Sequence, residues 1–522
     1  MTKICVPVCV DRIDKMREAV ERASQVADIV ELRLDYLSES ELAQSNEIRA
    51  VVRFTKRPVI LTLRPAEYGG HRAMNTQDRL FFRIQNLSVV REKSPRNYWD
   101  LELDLALILE QREKEGNDVA GWGSVDWKHT ICSHHDFVGI PRDLDGLYKA
   151  MAATPAAIIK IAVQADDAID CLPIFRLLEH AQRERRELIA IAMGQAGIMT
   201  RVLGPSRGSF LTYASIDEDN KTAPGQLTAK ELRELYRVDQ IGRETQIFGI
   251  IGNPVSHSLS PRIHNASFAA SDLNAVYIPM QVDDARPFML RMAHPKSREL
   301  DWNLRGLSVT APHKSTVMSF LDWIDPSAKE IGAVNTIVVR DDQLLGYNTD
   351  AAGFISPLRE RFGSLNGVRC AVIGAGGAAR AVLWALRNAD ANVALFVRDV
   401  EKATALSNQY DLSCDQLENA RFESFDIVIN AAPLGTRGEH EDRTAARAEQ
   451  LRGVRLAYDL VYNPPETRFL REAREAGCET LSGVEMLLYQ AVEQFKLWTG
   501  SEPDRPTIRE AAMRALTQPS GN

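Results

Sequence analysis

This 522-residue chain lacks several features that would each announce a class of protein. Its seven cysteines are scattered without clusters of CxxC or CxxH pairs, so neither a disulfide framework nor a zinc ribbon is expected, and no metal centre is indicated. An odd, unpatterned set of thiols fits a reducing cytoplasm. No apolar run approaches the roughly 18 residues of a membrane span, and no basic-then-apolar leader or Arg/Ser-rich transit stretch precedes the first apolar run at Ile4. Basic clusters are missing too. With a net charge of −8 and no concentrated Lys/Arg surface, nucleic acid is not the expected partner. There is no low-complexity tract and no long internal repeat. The apolar share of 45% is ordinary for globular protein, and the length suits about two to four domains. These exclusions leave a cytoplasmic enzyme of small molecules, its oligomeric state unreadable.

What the chain does have is a glycine turn in an informative context. Residues 369–380 read RCAVIGAGGAAR: an apolar strand, a turn holding Gly374, Gly376 and Gly377, and an Ala-rich helix from Ala378. Gly and Ala also fill tight helix–sheet contacts for packing reasons alone. Here a second strand, 392–397, ends in Arg398-Asp399 about 20 residues on, which is the setting of a dinucleotide-binding βα unit. A nucleotide site, and with it hydride transfer, is expected.

The half before this motif is built differently. Short apolar runs at 4–10, 29–36, 59–64, 99–104, 129–135, 157–163, 188–193 and 210–215 predict eight strands. Amphipathic stretches such as 14–27, 78–90 and 168–183 lie between them. Strand then helix, repeated over about 220 residues, favours a closed parallel (β/α)8 barrel over an open doubly wound sheet. A polar segment at 217–225 and a short helix at 228–237 end this unit, bounded at 1–238. A new α/β unit spans 246–347. The nucleotide-binding Rossmann unit takes 348–483, its last strand at 456–461, and helices over 484–517 complete the middle unit. Residues 518–522 are expected to fray.

Charge inside a barrel strand is costly unless it is paired or used. Strand two reads VELRLD and sets Glu31, Arg33 and Asp35 on one face by the two-residue period. An exposed ion ladder or an inward polar cluster would satisfy this, and the apolar neighbours favour the cluster. Lys160 lies in AAIIKIAV, near the end of strand six. Desolvation there disfavours an ammonium, and a neutral amine attacks carbonyls to form a Schiff base; a lysine snorkelling from a strand end is the bland alternative. Strand five ends in His134-His135-Asp136, which brings an imidazole acid/base to the same rim. Adjacent strand residues point to opposite faces, so the two histidines would not easily chelate one ion.

These stretches, ELRLD at 31–35, TLRPAEYGG at 62–70, SHHDF at 133–137, IIKIAV at 158–163, Arg201 and TAPGQL at 222–227, resemble type I 3-dehydroquinate dehydratase, an eight-stranded βα barrel, across residues 1–238. The resemblance implies that Lys160 forms the imine with the C3 ketone of 3-dehydroquinate and that His135 moves protons at C2 and to the departing hydroxyl. It implies further that Glu31 orients His135, that Arg201 holds the substrate carboxylate, and that Arg33, Arg64 and Gln226 bind hydroxyls and ring. Two positions depart from the family: Tyr68 stands where an acid is more frequent before the Gly-Gly pair, and Thr222 where serine is usual.

In the second half, GNPVSHSLSP at 252–261 sets Ser258 and Ser260 just before a helix, where hydroxyls can meet a carboxylate near the positive helix end or simply cap. SVTAPHK at 308–314, GAVNT at 332–336 and GYNTD at 346–350 follow. Together they resemble shikimate dehydrogenase from Gln246 through the C-terminal helices. By that resemblance Lys314 and Asp350 flank the reacting oxygen: the ammonium stabilises a developing alkoxide and supplies its proton, and the carboxylate holds the hydroxyl and the lysine. Ser258, Ser260, Thr310, Asn335, Tyr462 and Gln490 would complete the substrate shell. Ser308 and His313 replace the usual Asn and aromatic residue, and Ala432 is a third departure. NADP-binding members usually carry Asn-Arg-Thr after the second Rossmann strand, where this chain has Val397-Arg398-Asp399 and then Lys402. Arg398 and Lys402 could hold a 2′-phosphate, whereas Asp399 could repel it or bind a free ribose hydroxyl. A weakened NADP(H) preference is expected, with NAD(H) the alternative.

The two resemblances imply consecutive reactions: 3-dehydroquinate loses water in the barrel, and the resulting 3-dehydroshikimate is reduced to shikimate. A quinate-directed dehydrogenase is one rival. A ligand-sensing regulator that has lost catalysis is another, opposed by the presence of Lys160, His135, Lys314 and Asp350.

Overall fold

The computed structural model describes residues 2–86, 97–115 and 125–517. The expected helix at 78–90 is seen as Thr76–Asn86, and its last residues, like the tail at 518–522, lie outside the described residues.

Eight parallel strands form the first sheet: β1 (Ile4–Val8), β2 (Ile29–Arg33), β3 (Val59–Thr62), β4 (Tyr98–Glu102), β5 (Thr130–Asp136), β6 (Ile158–Gln164), β7 (Glu187–Met193) and β8 (Thr212–Tyr213). Their order is β7-β6-β5-β4-β3-β2-β1-β8. The Phe210 N–H donates to the Leu188 carbonyl at 2.8 Å, and a parallel bridge between Leu188 and Ser209 brings β8 back to β7. β1 to β4 are buried along their whole length, as expected of strands covered by helices outside and by packed side chains within. β8 is shorter than its apolar run because the chain turns after Tyr213 to bridge Ser215 with Thr228. The helix expected at 228–237 contains a π-helical turn, Glu231–Leu235.

The second sheet is mixed. Its strands are β9 (Gln246–Gly252), β10 (Ala275–Gln281), β11 (Leu304–Val309), β12 (Trp323–Ile324), β13 (Thr336–Arg340) and β14 (Gln343–Tyr347), in the order β10-β9-β11-β13-β14-β12. The C-terminal helices return to this sheet. Trp498 Nε1 donates to the Ile337 carbonyl at 3.0 Å, and Phe495 shares a core with Phe248 and Phe268.

The third sheet is parallel: β15 (Arg369–Ile373), β16 (Asn392–Val397), β17 (Ser413–Gln416), β18 (Ile427–Asn430), β19 (Leu456–Asp459) and β20 (Glu479–Leu481), ordered β17-β16-β15-β18-β19-β20. This is the doubly wound nucleotide-binding order, with its switch point between β15 and β18. The expectation that 456–461 is the last strand is corrected by β20. That strand has three residues, lies at the sheet edge and has only Leu481 buried, so it leaves no apolar run to read.

The halves meet through a shared apolar cluster and through backbone and ion-pair contacts. Asp167 accepts from the Asp283 N–H at 2.7 Å, Arg207 donates to the Asp301 carbonyl at 2.7 Å, and Arg262 pairs with Glu231 at 3.1 Å.

Candidate active sites

The C-terminal ends of the barrel strands surround a cavity lined by Glu31, Arg33, Arg64, His135, Lys160, Arg201, Thr222 and Gln226. All eight residues singled out in the barrel therefore face one space. Lys160 is buried, and its neighbours are polar: it donates to Asp100 and to the Tyr213 hydroxyl, both at 2.9 Å, and Glu31 lies at 3.5 Å. Burial pushes the Asp100 carboxyl up, but Lys160 and Arg64 outweigh it and hold the group below its ordinary value. Arg64 reaches from the end of β3 to Glu102 at 2.7 Å and Asp100 at 3.0 Å. Arg33 is gripped by both oxygens of Asp35, which sits in a 3-10 turn beyond the strand. Thr222 donates to Gln226 through its N–H at 2.7 Å and its hydroxyl at 3.1 Å.

His135 is buried, and burial followed by the charges of Arg64 and Lys160 holds its imidazole well below the usual range, so it is neutral at pH 7. The carboxylate beside its ring is Glu102 on β4, not Glu31. Glu31 accepts from Thr62 at 2.7 Å and reaches across the barrel to Lys160 at 3.5 Å. Asp100, Glu102 and Tyr213 were missed in the sequence. The signal was there for the first two: YWDLE at 98–102 repeats the same-face charge spacing of ELRLD.

Arg201 is the most exposed to function by its solitude. It is fully enclosed, donates only to the Tyr213 and Pro224 carbonyls at 3.5 and 3.4 Å, and has no carboxylate partner among the described residues. Burial alone pulls its guanidinium down to about 10. A cation so placed awaits an anion.

The TLRPAEYGG loop is shaped by its glycines. Gly69 has φ +80°, and a Cβ there would meet the Phe137 ring at 2.2 Å; on Gly70 it would strike the Arg64 carbonyl at 1.8 Å. Phe137 and Arg64 thereby approach the cavity from either side of the loop.

In the second half, Lys314 donates to Asp350 at 2.6 Å, and Asn335 donates to the other carboxylate oxygen at 2.7 Å and to Gln490 at 3.3 Å. Asp350 opens the helix Asp350–Phe362, so the helix dipole favours its negative charge. Behind Asn335 runs a buried polar chain. Gln494 donates to Thr336 at 3.1 Å and accepts from Ser308 at 3.1 Å, and the Tyr277 hydroxyl donates to Ser308 at 2.7 Å. Ser308 thus serves this chain, while His313 is tied to the Val282 carbonyl at 2.6 Å. Ser258 accepts from the Ser260 N–H at 3.2 Å, Tyr462 packs on the cluster containing Leu259, and Thr310 follows β11 with its N–H on the Ile251 carbonyl at 2.9 Å. A cleft between the halves is lined by Thr222 and Gln226 on one side and Ser258 on the other.

The nucleotide cavity is lined by Gly374, Gly376, Arg398, Asp399, Lys402, Ala432 and Arg443. Gly374 has φ +106°, and a Cβ there would sit 3.0 Å from the Ala432 nitrogen; Ala432 is therefore a small residue at a tight backbone crossing. The helix Gly377–Arg387, which carries Ala378 in its first turn, has no side-chain cap at Gly376, and a Cβ on Gly376 would meet nothing within 4 Å. Its first N–H groups are open to a pyrophosphate, so the residues present fit a dinucleotide. A Cβ on Gly377 would lie 4.0 Å from Lys314 Cδ, which puts the turn beside the Lys314–Asp350 pair. Asp399 caps the next helix through the Lys402 N–H at 3.2 Å and pairs with the Lys402 ammonium at 3.1 Å. Arg443, unread in the sequence because it belongs to no motif, joins Arg398 in lining this cavity.

Three family models match: type I 3-dehydroquinase over residues 4–243, the shikimate dehydrogenase substrate binding domain over 250–337, and the shikimate 5′-dehydrogenase C-terminal domain over 483–513. The chain is 37% identical over 286 residues to a shikimate dehydrogenase (NADP(+)) of Methanococcus aeolicus, covering 53% of this chain and 100% of that protein. A crystal structure of shikimate dehydrogenase in complex with NADP+ aligns with TM-score 0.50 at 36% identity, covering 53% of this chain and 98% of that one. The bifunctional 3-dehydroquinate dehydratase/shikimate dehydrogenase of Arabidopsis thaliana, chloroplastic, is 35% identical over 523 residues, which is 95% of this chain and 82% of that protein. The chain belongs to the bifunctional 3-dehydroquinate dehydratase/shikimate dehydrogenase family.

Proposed function

We propose that the barrel dehydrates 3-dehydroquinate through an imine on Lys160 and that the second half reduces the product to shikimate with NADPH. The observation that carries the first step is one cavity holding a buried amine, a neutral imidazole and an unpaired buried guanidinium. The Lys160 amine adds to the C3 ketone and water leaves, giving the iminium. His135 then takes the C2 proton, and the electron pair expels the C1 hydroxyl, which leaves as water with that proton. Hydrolysis releases 3-dehydroshikimate and restores the amine. Arg201 binds the carboxylate, and Arg33, Arg64, Glu31, Thr222 and Gln226 hold the ring and hydroxyls.

In the second half the nicotinamide cofactor supplies a hydride when bound. Lys314 holds and delivers the proton at the carbonyl oxygen, and Asp350 fixes Lys314 with help from Asn335 and Gln490. Ser258, Ser260, Thr310 and Tyr462 form the rest of the substrate shell. Gly374, Gly376, Gly377 and Ala378 cradle the pyrophosphate. Asp399 and Lys402 neutralise one another, so Arg398 and Arg443 are left to receive a 2′-phosphate, which supports NADP(H) over NAD(H). Domain limits of 1–238, 246–347 with 484–517, and 348–483 fit these roles. All seven cysteines are free thiols, which supports the cytoplasmic reading.

Sodium borohydride added with 3-dehydroquinate tests the first step. A reduced adduct on the Lys160 peptide is expected; turnover without inactivation or labelling would refute the imine.

A further inference from the structure

We propose that the Tyr213 hydroxyl is a further catalytic group of the dehydratase site, a relay that carries protons between Lys160 and the C3 oxygen of the substrate as the imine forms and breaks. Tyr213 ends β8 and lines the cavity. Although β8 pairs with β1, the hydroxyl reaches Lys160 Nζ on β6 at 2.9 Å. Lys160 also meets Asp100 at 2.9 Å and Glu31 at 3.5 Å, so three oxygens surround the nitrogen that must bond to carbon. Both carboxylates are otherwise engaged: Asp100 Oδ2 also accepts from Arg64 at 3.0 Å, and Glu31 Oε1 accepts from Thr62 at 2.7 Å. An ionised carboxylate accepts only, whereas a phenol accepts and donates. Tyr213 accepts from Lys160, and the contact of its own hydrogen with Glu31 Oε1 is a long 3.5 Å, which leaves that hydrogen free for a substrate oxygen. Burial, then the charge of Glu31, holds the phenol well above its ordinary value, so the hydrogen is present throughout the working pH range.

Once Nζ has added to C3, nitrogen and oxygen share one carbon, and a proton passing directly between them would need a strained four-membered ring. A bridging hydroxyl makes that ring six-membered. In the first exchange Nζ bonds to C3 while an N–H proton passes to the phenol oxygen and the phenol proton passes to the ketone oxygen, so ammonium and ketone become a protonated carbinolamine. In the second the C3–O bond breaks: another N–H proton enters the phenol, the phenol proton joins the departing hydroxyl, and iminium and water result. Each exchange returns Tyr213 to its neutral form, so a buried phenolate never has to exist. The carboxylates of Asp100 and Glu31 stay beside the nitrogen, which keeps its positive charge throughout. The same exchanges in reverse hydrolyse the product imine. Lys160 Nζ also lies 4.4 Å from the centre of the Tyr213 ring, a packing contact that does not depend on the hydroxyl.

This inference rests on the imine reading, and the test separates the two. Tyr213→Phe in the full chain keeps the ring and removes only the hydroxyl. Mixed with 3-dehydroshikimate in the absence of NADPH and quenched with borohydride at set times, the unsubstituted chain should show an adduct on the Lys160 peptide. In Tyr213→Phe the adduct should appear about 100-fold more slowly, the lower end of what general acid–base catalysis supplies, yet reach the same final yield, because a relay speeds formation and hydrolysis alike. An unchanged denaturant midpoint reports folding. A lower yield reached at an unchanged rate would make Tyr213 a packing group for Lys160 and overturn the proposal, and so would an unchanged rate and yield. No adduct in the unsubstituted chain would instead overturn the imine itself. If Tyr213→Phe does not fold, the unsubstituted chain still decides. Adduct formation should slow as deuterium replaces solvent hydrogen, along a curve, since two protons move in each exchange; a straight line would overturn the relay.

Discussion

Arg201 is the residue whose environment states its function most plainly, since a buried guanidinium with no anion among the described residues is tolerated only if an anion arrives. Arg201→Gln should raise KM for 3-dehydroquinate about 10- to 100-fold, the worth of a charge-assisted hydrogen bond, with a smaller change in kcat. Steady-state kinetics checks this, and a drop in kcat at unchanged KM would mean that Arg201 acts on the chemical step. Arg398 and Arg443 make the parallel case for the cofactor. Each Ala substitution should lower kcat/KM for NADPH about tenfold and leave NADH use nearly unchanged; equal losses with both would mean they do not touch the 2′-phosphate. Lys160, His135, Lys314 and Asp350 were legible because reactive groups stood out against apolar strands or short motifs. Glu102 was legible in the same-face spacing of YWDLE but was overlooked, and Arg443 was not legible, since it lies in a polar loop.

At the scale of elements, the helix Ser260–Ala270 carries a second buried imidazole. His264 stacks on Tyr277 at 4.7 Å and meets Gln494 of the helix Gly483–Thr499 at 3.2 Å, and burial pulls it down to about 4. Its ordinary value is about 6.5. Between those values the unfolded chain binds a proton that the folded chain refuses, so this contribution is complete above about pH 6.5 and is lost as pH falls toward about 4. Denaturant midpoints for the chain should therefore drop on acidification through that window, and His264→Gln, which cannot titrate, should flatten the drop. Parallel midpoint curves for the two proteins would show that His264 does not titrate on unfolding. The strands themselves were readable wherever both faces are largely apolar, as in β1, β7 and β15. β20, short and polar at a sheet edge, was not; β8 was read but is shorter than its apolar run, because the bridge from Ser215 to Thr228 takes the chain out of the barrel.

At the scale of the molecule, two complete chemistries sit in separate halves joined by a shared apolar cluster and by polar contacts. Lys160→Ala should abolish dehydration and leave reduction of supplied 3-dehydroshikimate nearly intact, and Lys314→Ala should do the reverse; loss of both activities from either change in folded protein would mean one composite site. The order of the halves, barrel first, was legible from the change of pattern near Gly242, whereas the cleft that brings Gln226 near Ser258 depends on tertiary docking that no local pattern encodes. The most direct test of the whole is to supply the purified chain with 3-dehydroquinate and NADPH only. Shikimate should form with one NADPH oxidised per molecule, whereas 3-dehydroshikimate accumulating with the NADPH unconsumed, or 3-dehydroquinate left untouched, would contradict the assignment of consecutive reactions to the two sites.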